Sequence, residues 1–489
     1  MMRLPLVPCQ PAVVLFVVLV CVCPATAAQL FVGTAETSIT PDRPVALEGQ
    51  FRLRISQGVD SPITANVVVL ESRDGENVLD RAVMVSADLV HLPTDLLQAV
   101  RHAVAERNPE LDSNKIFISV THTHTAPVVQ VGNFVLPPDV MTIEEYNEFF
   151  VGQVASAIAE ACEKLQPGSA AWGLGFAQVA YNRRTSYHDG HASMYGPVHV
   201  PGYKGPEGPE YQGIPVLFFF DSAGKPLAAA VNVWCPSQEV EGTSRISADF
   251  WHPTRLRIKE KLGPEIVVLG WCGPSGDQSP HRRMQQAAED RMRKLRGIES
   301  WLDEFARRIA DSVLDTYDLV KEDRHADACL MHQTEIVRLP GWKLPEAEID
   351  RIRAARDELT ADLAEHPEKA SSLSRPISWR TQTVERFKQI AASEDGCYPT
   401  EIHVLRIGDV AVCTNQFELF TEYGLRILAR SPAHLTFVVQ LVGPAYYLPT
   451  AEAVRGGSYS AIPESCAVGP EGGDALVDAT VERIGGMWK

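Results

Sequence analysis

Cysteine is scarce: 10 in 489 residues, with no C-x-x-C pair. Cys9, Cys21 and Cys23 fall in the first thirty residues, which leaves Cys162, Cys235, Cys272, Cys329, Cys397, Cys413 and Cys466. Such usage excludes a disulfide scaffold, a zinc knuckle and a thioredoxin-like centre. The odd number leaves at least one thiol unpaired, and a single bridge stays open without an assignable pair. Positive charge is also short. Lys and Arg total 45 against 62 Asp and Glu, a net charge of −17. Nucleic acid is excluded as a partner, because phosphate binding needs a basic surface, and anionic membranes are disfavoured. Long apolar runs are missing too. Ala12 to Cys23 is apolar over twelve residues, too short to cross roughly 30 Å of hydrocarbon. With Arg3 before it and Pro24-Ala25-Thr26-Ala27-Ala28 after it, the run reads as a signal peptide over 1–28, and export to a periplasm or the medium is expected. Val20 and Val22 precede Cys21 and Cys23 where a lipoprotein needs a small residue. No internal repeat or low-complexity linker divides 29–489, so one domain is expected.

What is present is a large apolar fraction, 45% of residues, in alternating strand and helix patterns. Ala65 to Glu71, Ala82 to Ser86 and Ile116 to Val120 are short β-branched runs of the buried-strand kind. Helices are expected at Thr94 to Arg107, with Thr94 or Asp95 as cap, and at Ile143 to Leu165, ending before Pro167-Gly168. Val216 to Phe220 and Leu227 to Trp234 read as a hairpin, and Ile402 to Thr414 as two strands around Gly408-Asp409. Helix Thr254 to Leu262 leads to strand Ile266 to Trp271. The charged stretches Arg282 to Val320, Glu346 to Glu365 and Thr383 to Ala392 read as solvated helices, the last two as an insertion packed outside the sheet. The Gly- and Pro-rich loop Gly190 to Gly213 is expected to cover a site. The fold class is α/β, a mixed multi-stranded sheet flanked by helices.

The most specific local signal is Thr121-His122-Thr123-His124-Thr125-Ala126-Pro127, at the carboxyl end of a buried strand, where α/β folds place active sites. In an extended segment His122 and His124 project to the same side. Imidazole suits zinc, which in catalytic sites takes three protein ligands and keeps a place for water. Water so bound ionises near neutral pH and attacks a carbonyl. A turn whose imidazoles merely bond to backbone accounts for the same residues. In the turn Cys272 to Pro280, Gly273 and Gly276 allow close backbone approach and N–H groups can face an oxyanion. Asp277 and Ser279 there can act on substrate; a plain strand-to-helix loop is the alternative. Glu418, read as the start of a helix over 418–429, is explained by the helix dipole alone, and Tyr446-Tyr447 by packing.

The order of these pieces resembles the neutral (alkaline, non-lysosomal) ceramidase family over most of Leu30 to Gly486. The resemblance begins at Val32-Gly33-Thr34-Ala35, Ile39-Thr40-Pro41 and Val85-Ser86-Ala87-Asp88. It is sharpest at the segment 121–127, similar to the family's T-H-T-H-S-G-P. Asn182-Arg183 is similar to its N-R element, Gly276-Asp277-Gln278-Ser279-Pro280 to its G-D-x-S-P, Phe417-Glu418-Leu419-Phe420 to its G-E-x-x, and Tyr447-Leu448-Pro449-Thr450 to its Y-[IL]-x-T. The family's zinc is held by two His, a Glu and a Tyr. The resemblance therefore implies zinc, one per chain, on His122, Glu418 and Tyr447. It implies His124 and Arg183 against the polar groups beside a scissile amide, and Ser279, with Asp277 in the same element, as a serine required for activity. Taken together it implies an exported amide hydrolase acting on N-acylsphingosine or another lipid-like N-acyl amide.

The match departs from the family at one ligand. Relatives carry a second zinc-binding His just after the strand here written Val231-Asn232-Val233-Trp234-Cys235, but this chain continues Pro236-Ser237-Gln238-Glu239. His252 is the expected replacement, ahead of Cys235 or Glu239, and loss of the metal is the remaining outcome. The family's additional C-terminal β-domain is expected to be missing, and no apolar run for engaging a bilayer stands out. Both leave amide hydrolysis in place and the ceramide substrate open. Two readings compete from other classes: a metal-free exported binding protein that reuses the cleft, and a serine hydrolase at Ser279, which lacks the G-x-S-x-G elbow.

Overall fold

The computed structural model describes residues 28–488; the leader expected over 1–28 lies, but for its last residue, outside them. Valine-rich strands set the architecture. Thr64–Asp74 and Asn77–Ala87 are adjacent antiparallel neighbours in an eight-stranded mixed sheet. Alternate residues point to opposite faces, and both faces are apolar. Val67, Val69, Val83 and Val85 pack against helices Thr94–Arg107 and Ile143–Glu163. Val68, Leu70 and Met84 pack against Leu405, Val410, Val412 and Phe437 of a second sheet. That four-stranded sheet runs Leu330–Pro340, Cys397–Ile407, Val410–Thr414, Leu435–Val439. Helices Thr421–Arg430 and Pro470–Gly486 cover its outer side. The layers are thus helices, sheet, sheet, helices. A mixed sheet flanked by helices was expected; the face-to-face second sheet was not.

Helix boundaries obey local chemistry. Ile143–Glu163 opens with a capping box: Thr142 Oγ1 accepts from the Glu145 amide at 3.1 Å, and a Glu145 carboxylate oxygen from the Thr142 amide at 2.8 Å. Thr94–Arg107 matches its expected span, but Pro93 precedes it and no side chain caps it; Asp95 accepts only from the next amide, Leu96. The stretch 282–320 splits into Gln286–Leu295 and Trp301–Val320, the second capped by Ser300. The insertion is larger than expected, because its second helix runs Ala370–Ala392 with Pro376 inside it.

Most neighbouring strands run antiparallel, but within the two large sheets three pairs are parallel: Asn77–Ala87 with Ile116–Val120, Pro226–Val233 with Val267–Cys272, and Val410–Thr414 with Leu435–Val439. Their carboxyl ends share one rim, and Asn232 ties the sheets there, its Nδ2 donating to Trp271 O at 3.3 Å and Val438 O at 3.2 Å. Every segment singled out for chemistry leaves the fold at this rim.

Candidate active site

Leaving strand Ile116–Val120, the segment 121–125 is pinned by its threonines. Thr121 Oγ1 donates to Asp88, which is held bidentate by Arg255, and Thr123 and Thr125 both donate to Ser247 O. The histidines are left to face the rim. The segment is not extended: His122 has φ 63°, in the left-handed region, which His enters more readily than most residues. The two rings meet through this turn, with centroids 4.8 Å apart at 60°. Buried His122 donates from Nδ1 to Val90 O at 2.7 Å, so the Nε2 lone pair is free. It points at Glu418, 3.5 Å from Oε2.

Glu418 does not begin a helix. It lies in the two-residue strand Glu418–Leu419, parallel to Tyr447–Leu448 and in direct register with Tyr447. Its amide donates to Tyr446 O at 2.9 Å. Helix Thr421–Arg430 starts three residues later, because Asp277 Oδ1 accepts from both the Thr421 amide (2.9 Å) and hydroxyl (2.6 Å). The pairing sets the carboxylate beside the phenol. Arg183 closes the group: its Nη2 donates to Tyr447 Oη at 3.0 Å and to Gly276 O at 2.9 Å, and lies 3.6 Å from Glu418 Oε2. Burial pushes Glu418 up to about 7, against the pull of Arg183 and a hydrogen bond with Tyr447. Burial also holds His122 well below the usual imidazole range, helped by His124, and raises the Tyr447 phenol.

Gln238 bridges the remaining pair. A guanidinium only donates, so Gln238 Oε1 must face Arg183 Nη1, at 3.2 Å, and its Nε2 then donates to His124 Nε2 at 2.8 Å. That leaves the His124 proton on Nδ1, 3.1 Å from Glu241 Oε2. A solvent-open cleft of ≈ 140 Å³ reaches this floor, lined there by His122, His124, Glu418 and Tyr447, with Phe51, Trp379 and Tyr459 above.

No protein-family model and no curated protein matches the sequence. Solved structures do match the fold. The chain superposes on the neutral ceramidase from Pseudomonas aeruginosa with a TM-score of 0.66 and 16% identity, over 93% of this chain and 74% of that one. A ceramidase complexed with C2 gives 0.64 and 15% over the same shares. The fold is that of the neutral ceramidases.

On this neutral-ceramidase fold the other predicted residues serve the framework rather than the cleft surface. Asp277, besides starting helix Thr421–Arg430, accepts from Asn182 Nδ2 at 3.0 Å, so its carboxylate is taken up by structure. Ser279 is fully buried, pairs with Tyr181, and accepts from the His281 amide at 3.3 Å; neither residue lines the cleft. His281 in turn donates from Nε2 to Gln238 O. The turn's amides do not face the cleft either: Gly276 donates to Leu419 O and Gln278 to Ser275 O. The loop 190–213 is tied down by the Tyr195 amide on Arg183 O and leaves the cleft uncovered.

His252 is a correction. It sits in the first turn of helix Trp251–Leu262, half-buried, with Arg255, Asp88, Lys259 and Glu36 as its charged neighbours. Neither His252, Cys235 nor Glu239 lines the cleft where His122, Glu418 and Tyr447 meet. Helix packing accounts for this, since Trp251 must bury against Gly270 and turns its neighbour outward. All seven cysteines among the described residues are free. Sequence reasoning passed over Gln238 and Glu241, whose only signal was their place soon after strand Pro226–Val233. It also missed Trp379 and Arg375: the insertion, helical and outside the sheet, forms cleft wall as well.

Proposed function

We propose that the protein is a metal-dependent amide hydrolase of the neutral-ceramidase type, acting on N-acyl compounds. One observation carries the reading: His122, Glu418 and Tyr447, from segments far apart in sequence, meet on the floor of one cleft. The donor set fits zinc. A free imidazole nitrogen 3.5 Å from a carboxylate oxygen is close to the ~3.3 Å edge of a tetrahedron with bonds of about 2.0 Å. With the phenol this gives three protein ligands. When bound, the metal supplies a Lewis acid and a nucleophilic water near neutral pH.

The chain's own residues do the rest. Val90 O fixes the His122 tautomer so that Nε2 faces the cleft. Arg183 is immobilised by Gly276 O, Gln238 and Tyr447, so its charge stands ready for the oxyanion that forms at an attacked carbonyl, with no reorganisation at that moment. His124, oriented by Gln238 and Glu241, holds a proton on Nδ1. Phe51, Trp379 and Tyr459 form an apolar wall for the acyl or base portion. Ser279 acts as a positioning residue through His281, not as a nucleophile, since its Oγ accepts from a backbone amide rather than donating to an imidazole. Export through the leader belongs to the same proposal.

The test is elemental analysis of purified protein together with hydrolysis of a fluorogenic N-acyl amide. We expect about one zinc per chain, and loss of both metal and at least 100-fold in kcat/KM on His122→Ala. A protein that takes up no zinc when it is supplied, yet binds N-acyl amides unchanged, is instead a binding protein in the old cleft.

A further inference from the structure

The loop 190–213 leaves the hydrolytic cleft uncovered, but it borders a second cavity, of ≈ 310 Å³, that shares no lining residue with the first. Val198, Tyr203, Pro206 and Glu210 of the loop line one side of it, and Arg283, Met284 and Glu289 line another. Its floor is the buried segment 181–185. Alternation along an extended segment separates the two cavities. Arg183 turns its guanidinium to Tyr447 on the cleft floor, while Asn182 and Arg184 on either side of it face the second cavity.

Most of the charge around this cavity is already matched. Arg184 is wholly buried, and its Nη2 donates to Glu207 at 3.0 Å. Glu289 accepts from the Tyr181 hydroxyl at 2.8 Å and stands 3.4 Å from Arg308 Nη2. Two groups of opposite sign remain. Half-buried Glu210 accepts only from the Asn182 amide, at 2.8 Å on Oε1. Half-buried Arg283 donates from Nη2 to Gly196 O, and its Nε is closed to solvent with no partner. Among the described residues neither side chain forms an ion pair.

Charges taken out of water are ordinarily paired. A carboxylate and a guanidinium on one small cavity, each without a counter-ion, select a ligand that carries both signs. An anion alone would also meet Glu210, and a cation alone would also meet Arg283. Val198, Met284 and the Tyr203 ring supply apolar surface beside the two charges. The Tyr203 hydroxyl donates to the Met284 sulfur at 3.8 Å, which leaves its oxygen to accept.

We propose that this second cavity binds a small zwitterion, with its carboxylate on Arg283 and its ammonium on Glu210. A free α-amino acid with an apolar side chain and a dipeptide share that chemistry. The site stands independently of the hydrolase reading, because no residue of the cleft takes part in it.

The test is calorimetry on the full protein with four soluble probes. L-leucine and L-leucyl-L-leucine carry both charges at two separations. Isopentylamine is leucine without its carboxylate, and 4-methylpentanoate is leucine without its ammonium. At least one zwitterion is expected to bind about ten-fold more tightly than either singly charged probe, the ratio expected of a hydrogen bond to a charged group. The tighter of the two zwitterions identifies the length of the ligand. Glu210→Gln keeps an acceptor for the Asn182 amide and removes only the charge, so it should bring the zwitterion close to 4-methylpentanoate. Arg283→Gln should bring it close to isopentylamine, whereas Arg283→Lys, which keeps the charge, should retain part of the affinity. Each variant is checked for an unchanged melting temperature. Absence of binding, equal binding of all four probes, or a preference that survives either charge-removing substitution overturns the site. His122→Ala should leave the preference intact; its loss there would put the zwitterion in the hydrolytic cleft and overturn the site as well.

Discussion

Among the described residues Gln238 is the one side chain that bonds to both Arg183 and His124. It accepts from Arg183, which is buried, and donates to His124, which is partly buried. Gln238→Leu keeps the volume and removes both bonds, leaving a buried guanidinium nitrogen and an imidazole nitrogen unpaired. A loss of about 1–3 kcal/mol in stability is expected, read from urea melts. The activity on N-acyl amides should fall further than that loss explains, because His124 is then free to turn. Activity equal to wild type at full folding would remove Gln238 from the site. Gly49 is the complementary case. At φ 95° its Cβ position falls 2.5 Å from His124 Cγ, so the chain passes under the imidazole only without a side chain.

At the level of elements, the pairing of Glu418–Leu419 with Tyr447–Leu448 is what makes the carboxylate and phenol neighbours. It is only two residues long, and its support comes from the turn after Val267–Cys272. Gly276 donates to Leu419 O, and a Cβ there would sit 2.3 Å from Glu418 O. That oxygen is backbone and cannot give way cheaply. Gly276→Ala is therefore expected to destabilise by about 1–3 kcal/mol and to lower zinc content, since it moves Glu418 rather than removing it. Unchanged metal stoichiometry in a folded Gly276→Ala protein would count against this pair as ligands. The charged insertion gives the opposite lesson. Its helices read as solvated faces, and most of Glu346–Glu365 is indeed solvent-facing or half-buried, but Ala370–Ala392 turns Arg375, Trp379 and Gln382 onto the cleft.

Across the whole molecule, the two sheets meet around a buried polar chain. A carboxylate only accepts, so His403 Nε2 donates to Glu401 at 3.0 Å and its Nδ1 accepts from His332 Nε2 at 2.9 Å. The His332 amide donates to Asp80, and Glu401 and Arg101 stand on the far side of His403 with Lys115 nearby. Burial, then His403 and Lys115, hold His332 well below the ordinary imidazole value. Burial also lowers His403, against the pull of Glu401. A base with a depressed folded-state value binds fewer protons folded than unfolded. Its contribution is then complete above the unfolded value of about 6.5 and is lost as pH falls below it. The urea midpoint should drop between pH 7.5 and pH 5, and His332→Gln should flatten that drop. A wild-type midpoint constant over this interval would contradict the assignment.

The sequence by itself determined the class of fold, most helix spans, the rim position of 121–127 and, through family resemblance, the grouping of His122, Glu418 and Tyr447. These are local or ordered signals: valine runs dictate buried strands, and the resemblance rests on the order of short motifs along the chain. Only the tertiary structure decided that a second sheet packs on the first and that His122 turns through a left-handed residue. It alone put Gln238 between His124 and Arg183, His252 outside the site, and Glu210 with Arg283 on a second cavity. Each depends on side chains far apart in the chain competing for one buried space. Which donor meets which acceptor there is set by packing and desolvation across layers, and no spacing along the chain records it.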